Sequence, residues 1–108
     1  MGFHDFYRMS SHAVICNASG QILLLKATYA EHAWGLPGGG IDMGETIHDA
    51  LFRECREELG CEVELDYLSG IYFHNAVTSH AFIFKCHLKA NAKIQLSDEH
   101  SEYRWFNL

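Results

Sequence analysis

The spacing of apolar residues changes along this chain, and the changes mark its elements. Ile47, Leu51, Cys55 and Leu59 recur every fourth residue, which on an α-helix makes one buried stripe. Thr46 and Asp49 stand at capping-box spacing just before it, and Gly60 stands where a helix ends. The spacing therefore predicts a helix over 46–59. On either side the period shortens to that of strands. Residues 12–16 and 21–26 are apolar runs joined by Asn17-Ala18-Ser19-Gly20, a hairpin signal. The run 22–25 does not alternate, which predicts a strand covered on both faces. Segments 63–68 and 80–88 alternate as half-buried strands do. Residues 70–73 and 103–106 read as further strands, 94–96 as a weak one, and 75–79 and 90–93 as a loop and a turn. Phe73, Phe82 and Phe84 are expected in the core.

The remaining stretches carry little periodicity. Residues 1–9 read as a polar and aromatic lead-in, and 27–33 as a loop. Residues 34–40 are glycine-rich and hold the only proline. Pro37 fixes φ and rules out a helix there.

Composition sets the class. At 108 residues one domain over 1–108 is expected, large enough for a core without staples. No apolar run is long enough to span a membrane as a helix. The N-terminus has no signal-peptide pattern and no myristoylation pattern. The four cysteines, without a C-x-x-C pair, then read as reduced, mostly buried thiols of a cytoplasmic protein. The formal charge of −6 argues against a nucleic-acid polymer as partner. It leaves room for a small phosphorylated molecule if a metal supplies positive charge. The eight histidines are scattered, with no metal-binding spacing.

The chemistry concentrates around the helix. Glu54, Glu57 and Glu58 share one helical face by their spacing of three and four. Three acids there repel each other and oppose the helix dipole. A solvated acidic face is the bland explanation. Only Arg53 and Arg56 lie among them as bases, so negative charge remains, suited to a hard divalent cation with oxygen ligands. The glycines at 38–40 can bring backbone groups against a phosphate or the same cation, which makes Gly39 and Gly40 candidate substrate contacts. Together these residues indicate metal-dependent phosphoryl or pyrophosphoryl chemistry. The loop is neither a Walker A loop nor a dinucleotide fingerprint.

Gly39, Glu45, Arg53-Glu54, Glu57-Glu58 and Gly60, at the spacings found here, match the fixed letters of the Nudix box, G-x5-E-x7-R-E-U-x-E-E-x-G-U. Cys55 and Cys61 fill the two aliphatic positions. Trp34-Gly35-Leu36-Pro37-Gly38-Gly39 is similar to the family's lead-in to the box. The chain thus resembles the MutT-like Nudix hydrolases. The resemblance implies an α/β fold, a Nudix-type α/β/α sandwich around a mixed β-sheet. It implies Mg²⁺- or Mn²⁺-dependent cleavage of a nucleoside diphosphate linked to another moiety. Glu54, Glu57, Glu58 and the Gly38 carbonyl would be the metal ligands. Arg53 would orient the glutamates, and Glu45 would brace the loop against the helix by a salt bridge. Glu99 would be a further acid, as ligand or base, with Glu102 as fallback and a loop carboxylate as the equal alternative. The family's second helix, after the last strand, is not in the sequence. Either the chain is a truncated piece or the helix is missing, leaving one sheet face exposed or covered by a partner chain, as in a homodimer.

Substrate contacts are less legible. Lys26 and Arg8 are candidates for a phosphate, each against the commoner reading of a surface charge. His74, with Tyr72, Phe73, Asn75 and His80, is a candidate border for a base or sugar. Two competing functions stand beside the hydrolase. One is a Nudix-fold module that binds a nucleotide without cleaving it, which has no need of an intact set of box acids. The other is a purely structural acidic helix.

Overall fold

The computed structural model describes residues 6–108. The first five residues of the predicted lead-in, and the N-terminal targeting reading resting on them, lie outside the described residues. From Arg8 onward the lead-in is already strand.

Seven strands and one α-helix follow in order: β1 (Arg8–Ile15), β2 (Ile22–Ala27), β3 (Trp34–Gly35), β4 (Gly38–Gly40), α1 (Ile47–Leu59), β5 (Val63–His74), β6 (Ser79–Leu88) and β7 (His100–Phe106). They form two sheets. The first is mixed, in the order β4-β1-β6-β5, and the second runs β3-β2-β7. In the first sheet β1 lies parallel to β6, while β4 and β5 run antiparallel to their neighbours. The second is antiparallel throughout. A mixed sheet with the box helix agrees with the implied fold. Among the described residues α1 is the one α-helix, so the outer helical layer of the sandwich is not among them.

The helix is specified locally, as its sequence predicts. Thr46 is its N-cap, with its side chain accepting from the Asp49 N–H and the Asp49 carboxylate accepting from the Thr46 N–H. Gly60 closes it in the left-handed region at φ 65°. Leu51, Cys55 and Leu59 are fully buried, with Ile47 packed at the rim. They meet Ala13, Ile15, Leu23, Leu25, Phe84 and Cys86 in one core. Ser11 lies on that same inward face of β1, and its buried hydroxyl donates to the Ile47 carbonyl at 2.7 Å. That bond pins the start of α1 over the first sheet.

Four expectations change. The 17–20 turn is present, with the Asn17 side chain accepting from Ser19 and Gln21. However, β1 and β2 do not make a hairpin. They share only a bridge at Cys16 and Ile22 and then enter different sheets. Both strands carry core residues, and separating them lets each sheet cover the other. The segments 63–68 and 70–73 are one strand, because two bulges near Asp66 and Ser69 interrupt the alternation without ending the pairing. Residues 94–96 form no strand, although the Gln95 N–H donates to the Leu59 carbonyl at the helix end. Phe84 is core and Phe82 packs against it, but Phe73 is half exposed, since β5 is an edge strand and runs out beyond the helix. No helix among the described residues is long and apolar enough to cross a membrane.

Candidate active site

The glycine-rich stretch, expected as a turn, folds as β4 against β1, with Gly38, Gly39 and Gly40 opposite His12, Ser11 and Ser10. The pairing explains two of the glycines. Gly38 sits at φ 144°, and a Cβ there would collide with the Ser11 carbonyl and the His12 backbone. A Cβ on Gly39 would lie 2.8 Å from the Glu54 carboxyl carbon and 2.9 Å from both its oxygens. Bare backbone is therefore required for α1 to bring Glu54 this close.

Glu58 lies one helical turn on and is almost completely buried. The Gly38 N–H donates to its Oε1 at 3.1 Å. Burial pushes its carboxyl up to about 8, the Gly38 hydrogen bond opposes that, and Glu54 and Glu99 raise it further. A buried carboxylate facing two more acids lacks a counter-charge. A divalent cation with oxygen ligands is the group that such a donor set fits.

Glu57 is more exposed and turns toward Arg53, whose Nη1 donates to it at 3.2 Å. Among the described residues no three His, Cys, Asp or Glu side chains stand as a ready-made metal cage. Glu54 and Glu58 converge on β4, whereas Glu57 has to turn from Arg53 to join them. Arg53 is the hub of the site. Its Nε and Nη2 donate to Glu45 at 2.6 and 2.9 Å, its Nη1 also donates to Glu54 at 2.9 Å, and its Nη2 donates to the Gly40 carbonyl at 3.0 Å. These carboxylates hold the guanidinium firmly protonated. In turn Arg53 keeps the Glu45 carboxyl below its ordinary range, aided by the Asp42 N–H. One side chain thus ties the loop, the helix and β4 together.

Glu99 approaches from the segment before β7. Its carbonyl accepts from the Thr28 N–H at 2.9 Å, and its charge contributes to the raised Glu58. Glu102 instead accepts from Arg104 Nε at 2.8 Å. Lys26 lies on β2 in register with Trp34 and Glu102, its strand neighbours Leu25 and Ala27 facing the core. His74 ends β5, three strands across the sheet from β4, or roughly 14 Å at ordinary strand spacing. Arg8 begins β1, in register with Ser79. So the structure gathers Gly38, Gly39, Gly40, Arg53, Glu54, Glu57, Glu58 and Glu99, and leaves His74 across the sheet, while Lys26 and Arg8 make no contact that ties them to the carboxylates among the described hydrogen bonds and ion pairs.

One residue near the site carries no sequence signal. The Tyr29 hydroxyl is held above its ordinary range by desolvation and by Glu99, Glu58 and Glu54. It begins a turn in which Ala30, Glu31 and His32 all have φ between 49° and 60°, a run that costs about 1–3 kcal/mol per residue. Ser11 had a readable trace, a hydroxyl in phase with the inward Ala13 and Ile15.

A groove of about 930 Å³ runs along the flank of α1, over Phe52, Arg56, Val63, Leu65 and Lys89. It shares Glu45 and Arg53 with the site but includes none of the three helix glutamates. The groove's other acids, Asp49, Glu62 and Glu64, are all exposed, so the chemistry is assigned to the carboxylates gathered at β4, where Glu58 is buried.

A loop-and-helix carboxylate site on two packed sheets defines a class, and comparison with known proteins identifies it. The NUDIX domain matches residues 6–108, and the chain belongs to that family. It is 50% identical over 56 residues to the RNA pyrophosphohydrolase of Vibrio vulnificus (strain YJ016), a stretch covering 52% of this chain and 32% of that protein. The match thus spans about a third of the length of such curated relatives. Among solved structures, a MutT NUDIX hydrolase from Burkholderia pseudomallei is 32% identical with a TM-score of 0.73, over 94% of this chain and 84% of that one. The Ap4A hydrolase of C. elegans is 28% identical with a TM-score of 0.77, over 90% and 78%.

Proposed function

We propose that the chain is a metal-dependent pyrophosphohydrolase acting on a nucleoside diphosphate linked to another moiety. The observation that carries this reading is the buried Glu58, held by the Gly38 N–H and facing Glu54 across the bare backbone of Gly39. Glu54, Glu57, Glu58 and the Gly38 carbonyl are the groups that would hold Mg²⁺ or Mn²⁺. When bound, the cation offsets negative charge on the pyrophosphate oxygens and on the transition state. The chain's own contributions are then distinct. The amides of Gly39 and Gly40 border the phosphate approach. Arg53 fixes the orientation of Glu45, Glu54 and Glu57. A carboxylate of the Glu54, Glu58 and Glu99 group accepts the proton of the attacking water.

The substrate class follows from relatives. One is named for RNA and one for Ap4A, so the 5′ end of an RNA stands beside free nucleotides, nucleotide sugars and ADP-ribose-like molecules. The acidic balance of the chain favours the small molecules. The four free cysteines, with Cys55 and Cys86 buried, fit a cytoplasmic setting.

The test is an activity panel over those substrates with Mg²⁺ or Mn²⁺, read as two phosphate-bearing products. Glu58→Gln should lower turnover at least about 100-fold, as expected for losing a metal ligand. Glu57→Gln within about threefold of wild type would remove Glu57 from the site. Calorimetric binding with no product would return the chain to a nucleotide-binding module.

A further inference from the structure

The ladder between β1 and β4 leaves Gly38 loosely held. The Ala13 N–H donates to the Pro37 carbonyl at 2.9 Å, and the Ile41 N–H donates to the Met9 carbonyl at 3.0 Å. In an antiparallel pair such bonds fall on alternate residue pairs. His12 and Gly38, which are opposite each other, are therefore a pair that exchanges no backbone bond and brings its side-chain positions closest. Because β4 is the edge of the sheet, the N–H and the carbonyl of Gly38 both point away from β1. The N–H meets Glu58. The carbonyl is the one assigned above to the cation.

A glycine at φ 144° has wide conformational freedom, so its carbonyl needs a second support. His12 stands where that support is needed. A Cβ on Gly38 would lie 2.6 Å from the His12 Cα and 2.7 Å from its Nδ1, so the imidazole occupies the place of the missing side chain. The ring is itself fixed, with Nε2 2.9 Å from the Ser10 hydroxyl. Three successive residues of β1 thus divide two tasks. Ser11, on the inward face, holds the start of α1 through the Ile47 carbonyl. Ser10 and His12, on the opposite face, hold β4.

We propose that His12 is a positioning residue for the cation, its ring bracing Gly38 from the face opposite Glu58 so that the Gly38 carbonyl keeps its direction. This role rests on the metal-dependent reading of the site. It differs from a general contribution to the sheet, because the bonds on either side of Gly38 do not depend on the ring.

Calorimetric titration of the full chain with Mn²⁺ alone tests it. His12→Ala should weaken Mn²⁺ binding at least about tenfold, as loss of a group that orients a ligand does. His12→Phe keeps an aromatic ring against Gly38 and should stay within about threefold of wild type. In the metal-free chain, the Gly38 amide of His12→Ala should exchange at least about tenfold faster, while the amides of Ala13 and Ile41 keep their rates. Circular dichroism checks folding. If His12→Ala does not fold, His12→Gln, which keeps bulk and polarity without the ring, is read in its place with the same expectation. Unchanged Mn²⁺ affinity in the ring-less variant, no recovery in His12→Phe, or equal acceleration at Ala13 and Ile41 overturns the role of His12. A wild-type chain that takes up no Mn²⁺ overturns the metal reading itself, and the role of His12 with it.

Discussion

Arg53 grips Glu45 with two nitrogens of its guanidinium, at 2.6 and 2.9 Å, tying the last loop residue before the N-cap to the second turn of the helix. The two residues are two turns apart in sequence, and their pairing sets where the glycine loop ends and the carboxylate face begins. A bidentate contact of this kind constrains direction as well as distance. Lysine reproduces the charge and loses the fork. Arg53→Lys is therefore expected to lower kcat/KM by about 10–100-fold, the usual effect of a residue that positions metal ligands. Steady-state kinetics checks it, with titrated metal to separate weaker metal binding from slower turnover.

The buried Glu58 makes a statement about pH. Its folded pKa stands near 8 against an ordinary 4.5, so the folded metal-free chain binds this proton more tightly than the unfolded chain does. Stability without metal should fall as pH rises from about 4.5 to 8. Added Mg²⁺ should flatten that decline, and Glu58→Gln should remove it. Thermal melts across this range, with and without metal, measure all three.

Gly39 isolates the role of bare backbone. Its φ is not in the left-handed region, so Gly39→Ala meets only the Glu54 carboxylate. The substitution should push Glu54 aside and reduce turnover at least about tenfold with little change in Tm. Gly38→Ala differs, because its Cβ meets the β1 backbone at a positive φ. That variant should lose at least about 1–3 kcal/mol of stability, measured by urea unfolding.

A second pH effect lies far from the site. His87 Nδ1 and Nε2 each lie 2.9 Å from a carboxylate, those of Asp66 and Glu64, and Lys85 Nζ donates to Asp66 at 2.8 Å. The Asp66 hydrogen bond, with Glu64 behind it, raises the His87 pKa above 6.5. The resulting stabilisation is complete below about pH 6.5 and is lost as pH rises through the raised value. Asp66, held below its ordinary 3.8 chiefly by Lys85, contributes above that value and fails as pH falls through its lowered one. His87→Asn should flatten the slope of Tm between about pH 5 and 8. The effect should be small, since the cluster is solvent-exposed.

The box helix was legible because its signals are local. The cap, the four-residue stripe and the terminal glycine all act within one or two turns, and so does the clustering of Glu54, Glu57 and Glu58. The partners of Gly38 and Gly39 were not legible, because β1 reaches them only through the fold. The separation of β1 from β2 was hidden for a related reason: the turn at Asn17 is a proper turn, and nothing within it says that the strands diverge. Tyr29 comes near Glu58 through a loop of unusual backbone, which no side-chain pattern announces. His74 was singled out for its neighbours in sequence, and the sheet order carries it away from the acids.

The parallel pairing of β1 with β6, from Arg8 opposite Ser79 to Ile15 opposite Cys86, has a consequence for how the molecule comes into being. Gly38 is held by β1, and β1 is held by a strand from the far end of the chain. Everything that precedes β6 must be closed into one large loop before that ladder forms. Such distant pairing raises contact order and slows folding. The acidic helix can form early from its own signals, but the backbone it faces exists only after the two ends of the chain have met.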